Sequence, residues 1–245
     1  MSLTAYIIGS WTLLVGCGFL SLIVINLELP SYQEEILIPT TNINETKPKE
    51  SNPWVDRSLL FCGILFVFFL VGIDITFQSQ IYIFGLCGPL KLSAQHAGWL
   101  NSVYFVSLLI GRIVAIPLSI IISPTVIILC ASLGCLVFAI ILVSLGAHDV
   151  IALFIATAFI GFHVCFFLGS IINWLTSQIK NMTSKHVSII FLGGPLANSM
   201  IPPLASKLFY SKGPIFVFYT TILCDILLIV CFVIMNIIAK WKRWK

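Results

Sequence analysis

Charge is what this 245-residue sequence has least of: only 9% of its residues are Asp, Glu, Lys or Arg. A soluble domain carries about 25% charged residues. So few cannot clothe a globule in water, and the outer face of the folded chain must meet something else. CxxC pairs are also missing. The eight Cys (Cys17, Cys62, Cys87, Cys130, Cys135, Cys165, Cys224 and Cys231) sit mostly in apolar runs, with Cys87 alone near a helix end. There they act as small hydrophobes and imply neither a disulfide framework nor a metal site. A basic segment before the first apolar run is lacking too. The Met1-Ser-Leu-Thr start and the acidic loop that follows argue for a retained helix over a secretory leader. Net charge is +4, but Lys240, Lys242, Arg243 and Lys245 form a tail behind an apolar run. Such a tail reports membrane topology rather than nucleic-acid binding.

What is present is hydrophobic: 59% of the residues, with 19 Phe and a mean hydropathy of +1.09. A run of about 20 apolar residues spans the hydrocarbon core as a helix. Seven runs qualify: Ala5–Ile25, Ser58–Gln80, Trp99–Ile120, Thr125–Gly146, Ile151–Leu175, Val187–Leu208 and Pro214–Ala239. The third and fourth nearly fuse, and Ser123-Pro124 is the expected break, because the residue before proline is pushed out of the helical region. Glu28 to Arg57 is acidic, Pro-containing and poor in aromatics, the composition of a flexible linker. The expected fold class is therefore an all-α membrane protein of about seven transmembrane helices. Its parts are one helix over 1–27, a linker over 28–57 and six helices over 58–245. Placing the amino terminus outside puts ten cations in the cytoplasmic segments (Lys47, Lys49, Arg57, Arg112, Lys180, Lys185 and the four of the tail). Three remain outside: Lys91, Lys207 and Lys212. This is a positive-inside bias. On that topology neither sequon, Asn44-Glu-Thr nor Asn181-Met-Thr, is used, and a glycan on Asn44 would overturn it.

An ionisable residue in mid-membrane needs a partner or water. Asp74 lies deep in the second run, with Gln78 and Tyr82 at i+4 and i+8 on one stripe. The stripe serves equally to bind a neighbouring helix or to line a substrate path. The third run presents Asn101, Tyr104 and Gly111 with Arg112 beside them. Amide and phenol groups suit a neutral polar ligand and also suit interhelical glue, while Arg112 near the cytoplasmic end can snorkel. On the fifth run His163, Phe166, Ser170 and Asn173 share a face with Trp174 adjacent, an aromatic-polar mixture that grips sugars but more often contacts lipid or core. The sixth carries Gly193-Gly194-Pro195, Asn198, Pro202 and Pro203, which permit close packing or a broken helix. Asp225 in the last run has no neighbouring cation and calls for a partner elsewhere in a structural role. Neither aspartate has a GxGD context, and Gly169-Ser170 lacks a GxSx context, so the intramembrane protease patterns are unmatched and no enzyme is expected.

The stretch Tyr104-Phe-Val-Ser-Leu-Leu-Ile-Gly-Arg112, followed by Ile122-Ser-Pro124, resembles the junction of the eighth and ninth helices of the major facilitator superfamily. More closely it resembles the fucose permease branch, where an aromatic precedes IGR and then ISP. Leu70-Val-Gly-Ile-Asp74 is similar to the seventh helix there. Thr183-Ser-Lys185, Ser188-Ile-Ile-Phe-Leu-Gly193 and Ile201-Pro202 are similar to the tenth-to-eleventh loop and the eleventh helix. Among animal members the resemblance is to the sodium-dependent glucose transporter 1 and domain-containing protein 4 group. It implies that 58–245 is the carboxyl-terminal six-helix half, that the first helix is the family's sixth, and that the linker joins the halves. Counterparts of the first five helices and of the permease's amino-half carboxylates are missing, as are the basic residues usual after Arg112.

The resemblance implies a hexose transporter in half-length form, working by alternating access. Asp74, Gln78, Asn101, Tyr104, His163, Phe166 and Asn198 are the expected substrate-binding wall, and Gly111, Arg112 and Asp225 the structural or gating residues. No cofactor is expected; the coupling ion, for symport, is open between Na+ and H+. The expected partners are the lipid bilayer, a small neutral sugar, and an amino-terminal half or a second copy, in the plasma membrane with the carboxyl terminus cytoplasmic. Two other readings stand beside it. One is a non-transporting accessory subunit. The other is a seven-helix receptor, against which the absence of Asp-Arg-Tyr and NPxxY motifs argues.

Overall fold

A computed structural model describes residues 53–179 and 182–244. The first expected helix, Ala5–Ile25, nearly all of the 28–57 linker, and the sequon residue Asn181 lie outside the described residues. What is described is helical throughout: α1 Pro53–Cys87, α2 Ala94–Ile121, α3 Pro124–Ser144, α4 Val150–Gln178, α5 Ser184–Phe191, α6 Gly193–Lys212 and α7 Phe216–Trp244. Counting α5 and α6 together, six helical segments are long and apolar enough to cross a membrane. The chain is an all-α, multi-pass membrane protein.

Local chemistry sets the helix ends. Pro53 stands at the first helical position and Asp56 in the first turn, where a fixed φ and a negative charge suit a helix start. The last five residues expected in the linker are therefore helical. At its other end α1 runs seven residues past Gln80. Gly85 there lies so close to α2 that an added Cβ would meet the Ala97 Cβ at 3.0 Å. Ser93 caps α2, its Oγ accepting from the His96 N–H. Ser123-Pro124 forms the expected break between α2 and α3, and Asp149 caps α4 through the Ile151 N–H at 2.9 Å. The sixth apolar run is interrupted at Leu192, where α5 hands over to α6 at the Gly193-Gly194-Pro195 sequence. A Cβ on Gly193 would run into the backbone carbonyl of Ile64 in α1, so glycine is what lets this joint reach α1.

Helix contacts close a ring, α1–α7–α3–α4–α2 and back to α1, with α5 and α6 resting on α1. Phenylalanines fill the ring. Phe66 meets Phe167 and Phe232 edge-on at 6.2 Å, and Phe84 meets Phe218 at 4.5 Å. Outward stand Ile113, Ile116 and Ile120 of α2, Leu133 and Val137 of α3, and Leu223, Val230 and Ile237 of α7, all exposed. Such a surface suits hydrocarbon, not water. A polar cross-link ties α1 to α6: the Gln80 side-chain amide donates to Ser206 Oγ at 2.6 Å. Gln80→Leu should cost about 0.6–1.7 kcal/mol, the range for polar pairs between membrane helices, read as a lowered unfolding temperature in detergent.

Two glycines fix the α2–α4 crossing. A Cβ on Gly161 would lie 2.7 Å from Tyr104 O and from Ser107 Oγ, and one on Gly111 would lie 2.8 Å from Phe162 O. Small residues at such points let two backbones approach closely. The consequence is functional, because this contact sets the position of Tyr104.

Candidate functional site

The most polar group in the bundle is built around Asp74, half-buried on α1. Its Oδ1 accepts two hydrogen bonds, from the Tyr104 phenol at 2.6 Å and from the Gln78 amide at 2.8 Å. The Gln78 bond follows from the helix itself, since residues four apart share a face. The Tyr104 bond requires tertiary structure. Tyr104 is wholly buried, its ring 5.2 Å from Phe77 of α1 and 5.8 Å from Phe105. Its carbonyl accepts from Ser107 Oγ at 2.9 Å while resting against Gly161. Ring packing and the glycine contact thus hold the phenol on the carboxylate.

Arg112, two turns further along α2 and exposed, is near enough for its charge to act on Asp74 and on Cys165 of α4. Nine more residues of α2 follow it, so Arg112 lies more than two turns inside the helix. Both bonds to Asp74 arrive at Oδ1, and Oδ2 accepts none among the described residues. The arrangement is a fixed carboxylate with one spare oxygen and a cation nearby. Chemically it can accept hydrogen bonds from hydroxyls or hold a proton or monovalent cation. Among the described residues no cluster of three or more His, Cys, Asp or Glu could hold a metal ion.

The other expected wall residues lie on α2, α4 and α6. Asn101 is buried one turn before Tyr104, on the same face of α2. His163 is turned toward α3: its Nδ1 bonds Phe159 O at 2.7 Å, and its ring abuts Gly134 and lies 5.8 Å from Phe138. Phe166 is buried edge-on to Phe162 at 5.1 Å. His163 and Phe166 instead border an apolar crevice of about 200 Å³ with Val114, Leu118 and Val126. Of their expected companions Ser170 is buried and Asn173 exposed, and Asn198 is exposed on α6. Gly111 is the close-approach glycine of the α2–α4 crossing. Asp225 is fully buried, and neither carboxylate oxygen finds a hydrogen-bond partner; the partner expected from the sequence is not among the described residues. Two features escaped sequence reading: the Gln80–Ser206 bond and the role of Gly161. Their only local signals were an amide two residues after Gln78, off the Asp74 stripe, and a glycine beside a bulky residue.

No family model matches the chain. Curated proteins do. It is 30% identical over 146 residues to sodium-dependent glucose transporter 1A of Mus musculus, covering 60% of this chain and 34% of that protein. To sodium-dependent glucose transporter 1 of Homo sapiens it is 26% identical over 196 residues, 80% of this chain and 35% of that one. To major facilitator superfamily domain-containing protein 4A of Danio rerio it is 22% identical over 151 residues, covering 62% and 28%. The chain spans about a third of the length of the curated relatives it matches.

Proposed function

For a chain related to the major facilitator superfamily over 60–80% of its length, we propose a transmembrane carrier of a small neutral sugar, a hexose, moving by alternating access. The observation that carries this reading is the Asp74–Tyr104–Gln78 group, a pinned carboxylate with a spare oxygen inside a membrane-spanning bundle. A sugar offers hydroxyl donors, and an oriented carboxylate is a strong acceptor for them. The names of the murine and human relatives, which refer to glucose and to sodium, agree with that chemistry. They also make Asp74 the candidate for coupling to Na+ or H+.

In this reading the six-helix unit is one wall of a central site at mid-membrane. A second six-helix unit, an amino-terminal half or another copy of this chain, supplies the facing wall, as in carriers built from repeats. The membrane is the plasma membrane, with the amino terminus outside and the carboxyl terminus cytoplasmic, as the distribution of cations favours. Uptake of radiolabelled glucose by proteoliposomes containing the chain tests the proposal. Saturable uptake, competed by unlabelled hexose, supports it, and uptake no faster than in empty liposomes, both with the chain alone and with an amino-terminal six-helix half reconstituted beside it, sinks it. Tyr104→Phe removes one donor from Asp74 but keeps the ring packed on Phe77. It should lower the uptake kcat/KM about tenfold, a hydrogen bond to a charged group being worth about 1.5–3 kcal/mol, with the unfolding temperature little changed.

A further inference from the structure

Asp225 has no part in the wall just described. It sits nine residues into α7, about 13 Å along the helix axis, which is well inside a hydrocarbon core about 30 Å thick. The residue is 0% exposed, and neither oxygen has a hydrogen-bond partner. On α7 itself, one turn before Asp225, Thr221 Oγ1 donates to Val217 O at 3.2 Å, and on α3 Ser132 Oγ donates to Leu129 O at 3.1 Å.

The helices packed against α7 are α1, α3 and α6. From α3, Cys135 lies close to Asp225, as does Cys224 beside it on α7. On α1 the carboxylate of Asp74 is taken up by Tyr104 and Gln78. The cations of α6, Lys207 and Lys212, are exposed. Among the described residues no Lys, Arg or His is buried in the bundle. A bare carboxylate in such a place bears the full desolvation cost of a charge with nothing to offset it. A proton removes the charge and needs no coordination shell, which a metal ion would.

We propose that Asp225 is an intramembrane proton-binding site, occupied in this conformation and emptied to water when the seam between α1, α3 and α7 opens. The exchange is a proton transfer alone, from the carboxylic acid to water or buffer. Any state that wets the seam is then favoured by rising pH, because only there does the group release its proton. The inference stands apart from the sugar reading, since it concerns a different helix and needs no substrate.

Infrared spectroscopy of the full chain in lipid at neutral pH tests it, comparing wild type with Asp74→Asn and Asp225→Asn. The carbonyl stretch of a protonated carboxylic acid should be present in wild type, retained in Asp74→Asn and lost in Asp225→Asn. It should shift only slowly after transfer to deuterated water. Where Asp225→Asn does not fold, Asp225→Glu serves, and the band should move in frequency. A spectrum in which either substitution at Asp225 leaves that band untouched, or removes intensity from the ionised carboxylate bands, overturns the proposal. Rapid deuterium shift overturns the closed seam.

Discussion

Asp74→Asn should reduce saturable hexose uptake on the order of a hundredfold while leaving the protein folded. The amide is nearly the same size, so the packing around Tyr104, with Phe77 of α1 on its ring and Gly161 of α4 on its carbonyl, should survive. What changes is the acceptor. Asn offers one neutral oxygen where Asp offers two charged ones. The Tyr104 phenol and Gln78 amide compete for that single oxygen, and the position of Oδ2 becomes a donor. Losing one charge-assisted hydrogen bond to a sugar hydroxyl costs about 1.5–3 kcal/mol. Presenting a donor where the ligand also donates adds to this, and about 2.8 kcal/mol is a factor of a hundred. Circular dichroism and size-exclusion elution matching wild type would confine the loss to the site. If Asp74 only held α1 to α2, the same substitution would lower the unfolding temperature and leave the uptake of the folded fraction intact.

Gly193→Val should strongly damage the fold. The new Cβ would need the space held by the Ile64 carbonyl oxygen and would lie 3.0 Å from the Phe68 nitrogen. Both are backbone atoms of a buried helix, and neither can swing aside as a side chain can. The α5–α6 joint must then lift from α1, which strains packing that includes Gln80–Ser206. Overpacking of this kind costs about 1–3 kcal/mol, and separation of the helices adds to it, so a drop in folded yield and in unfolding temperature is expected. Gly169→Ala is the control: nothing lies within 4 Å of its would-be Cβ. Alanine there should be neutral, or stabilising by up to about 1 kcal/mol through helix propensity. Equal effects from the two substitutions would mean that the approach of the joint to α1 does not matter.

These two sites differ in how far the sequence reveals them. The spans were legible because apolar runs of sufficient length have one stable form in lipid, and Ser123-Pro124 marks its own break. The Gly193-Gly194-Pro195 triplet likewise announced the interruption at Leu192, though not the contact with Ile64. Asp74 and Gln78 could be paired from spacing alone. Tyr104 could not, because its bond to Asp74 joins residues thirty apart and depends on how α2 rotates against α1. The same ignorance of rotation left His163 open. Its spacing put it on a stripe with Phe166 and Ser170, but only packing shows the ring turned to Gly134. The long α1 was underestimated at both ends, because a proline start and a glycine contact extend a helix beyond its most apolar stretch. Asp225 could be recognised as costly from its surroundings in sequence, whereas its lack of a hydrogen-bond partner emerged from the fold.

The central claim, that the Asp74 carboxylate is the acceptor of a hexose-binding wall, is met most directly by equilibrium binding of radiolabelled glucose. Purified 245-residue chain in lipid nanodiscs is compared with its Asp74→Asn variant. The account predicts saturable binding, displaced by unlabelled hexose, that is lost in the variant. No saturable binding by wild type, or the same affinity in both proteins, would contradict it.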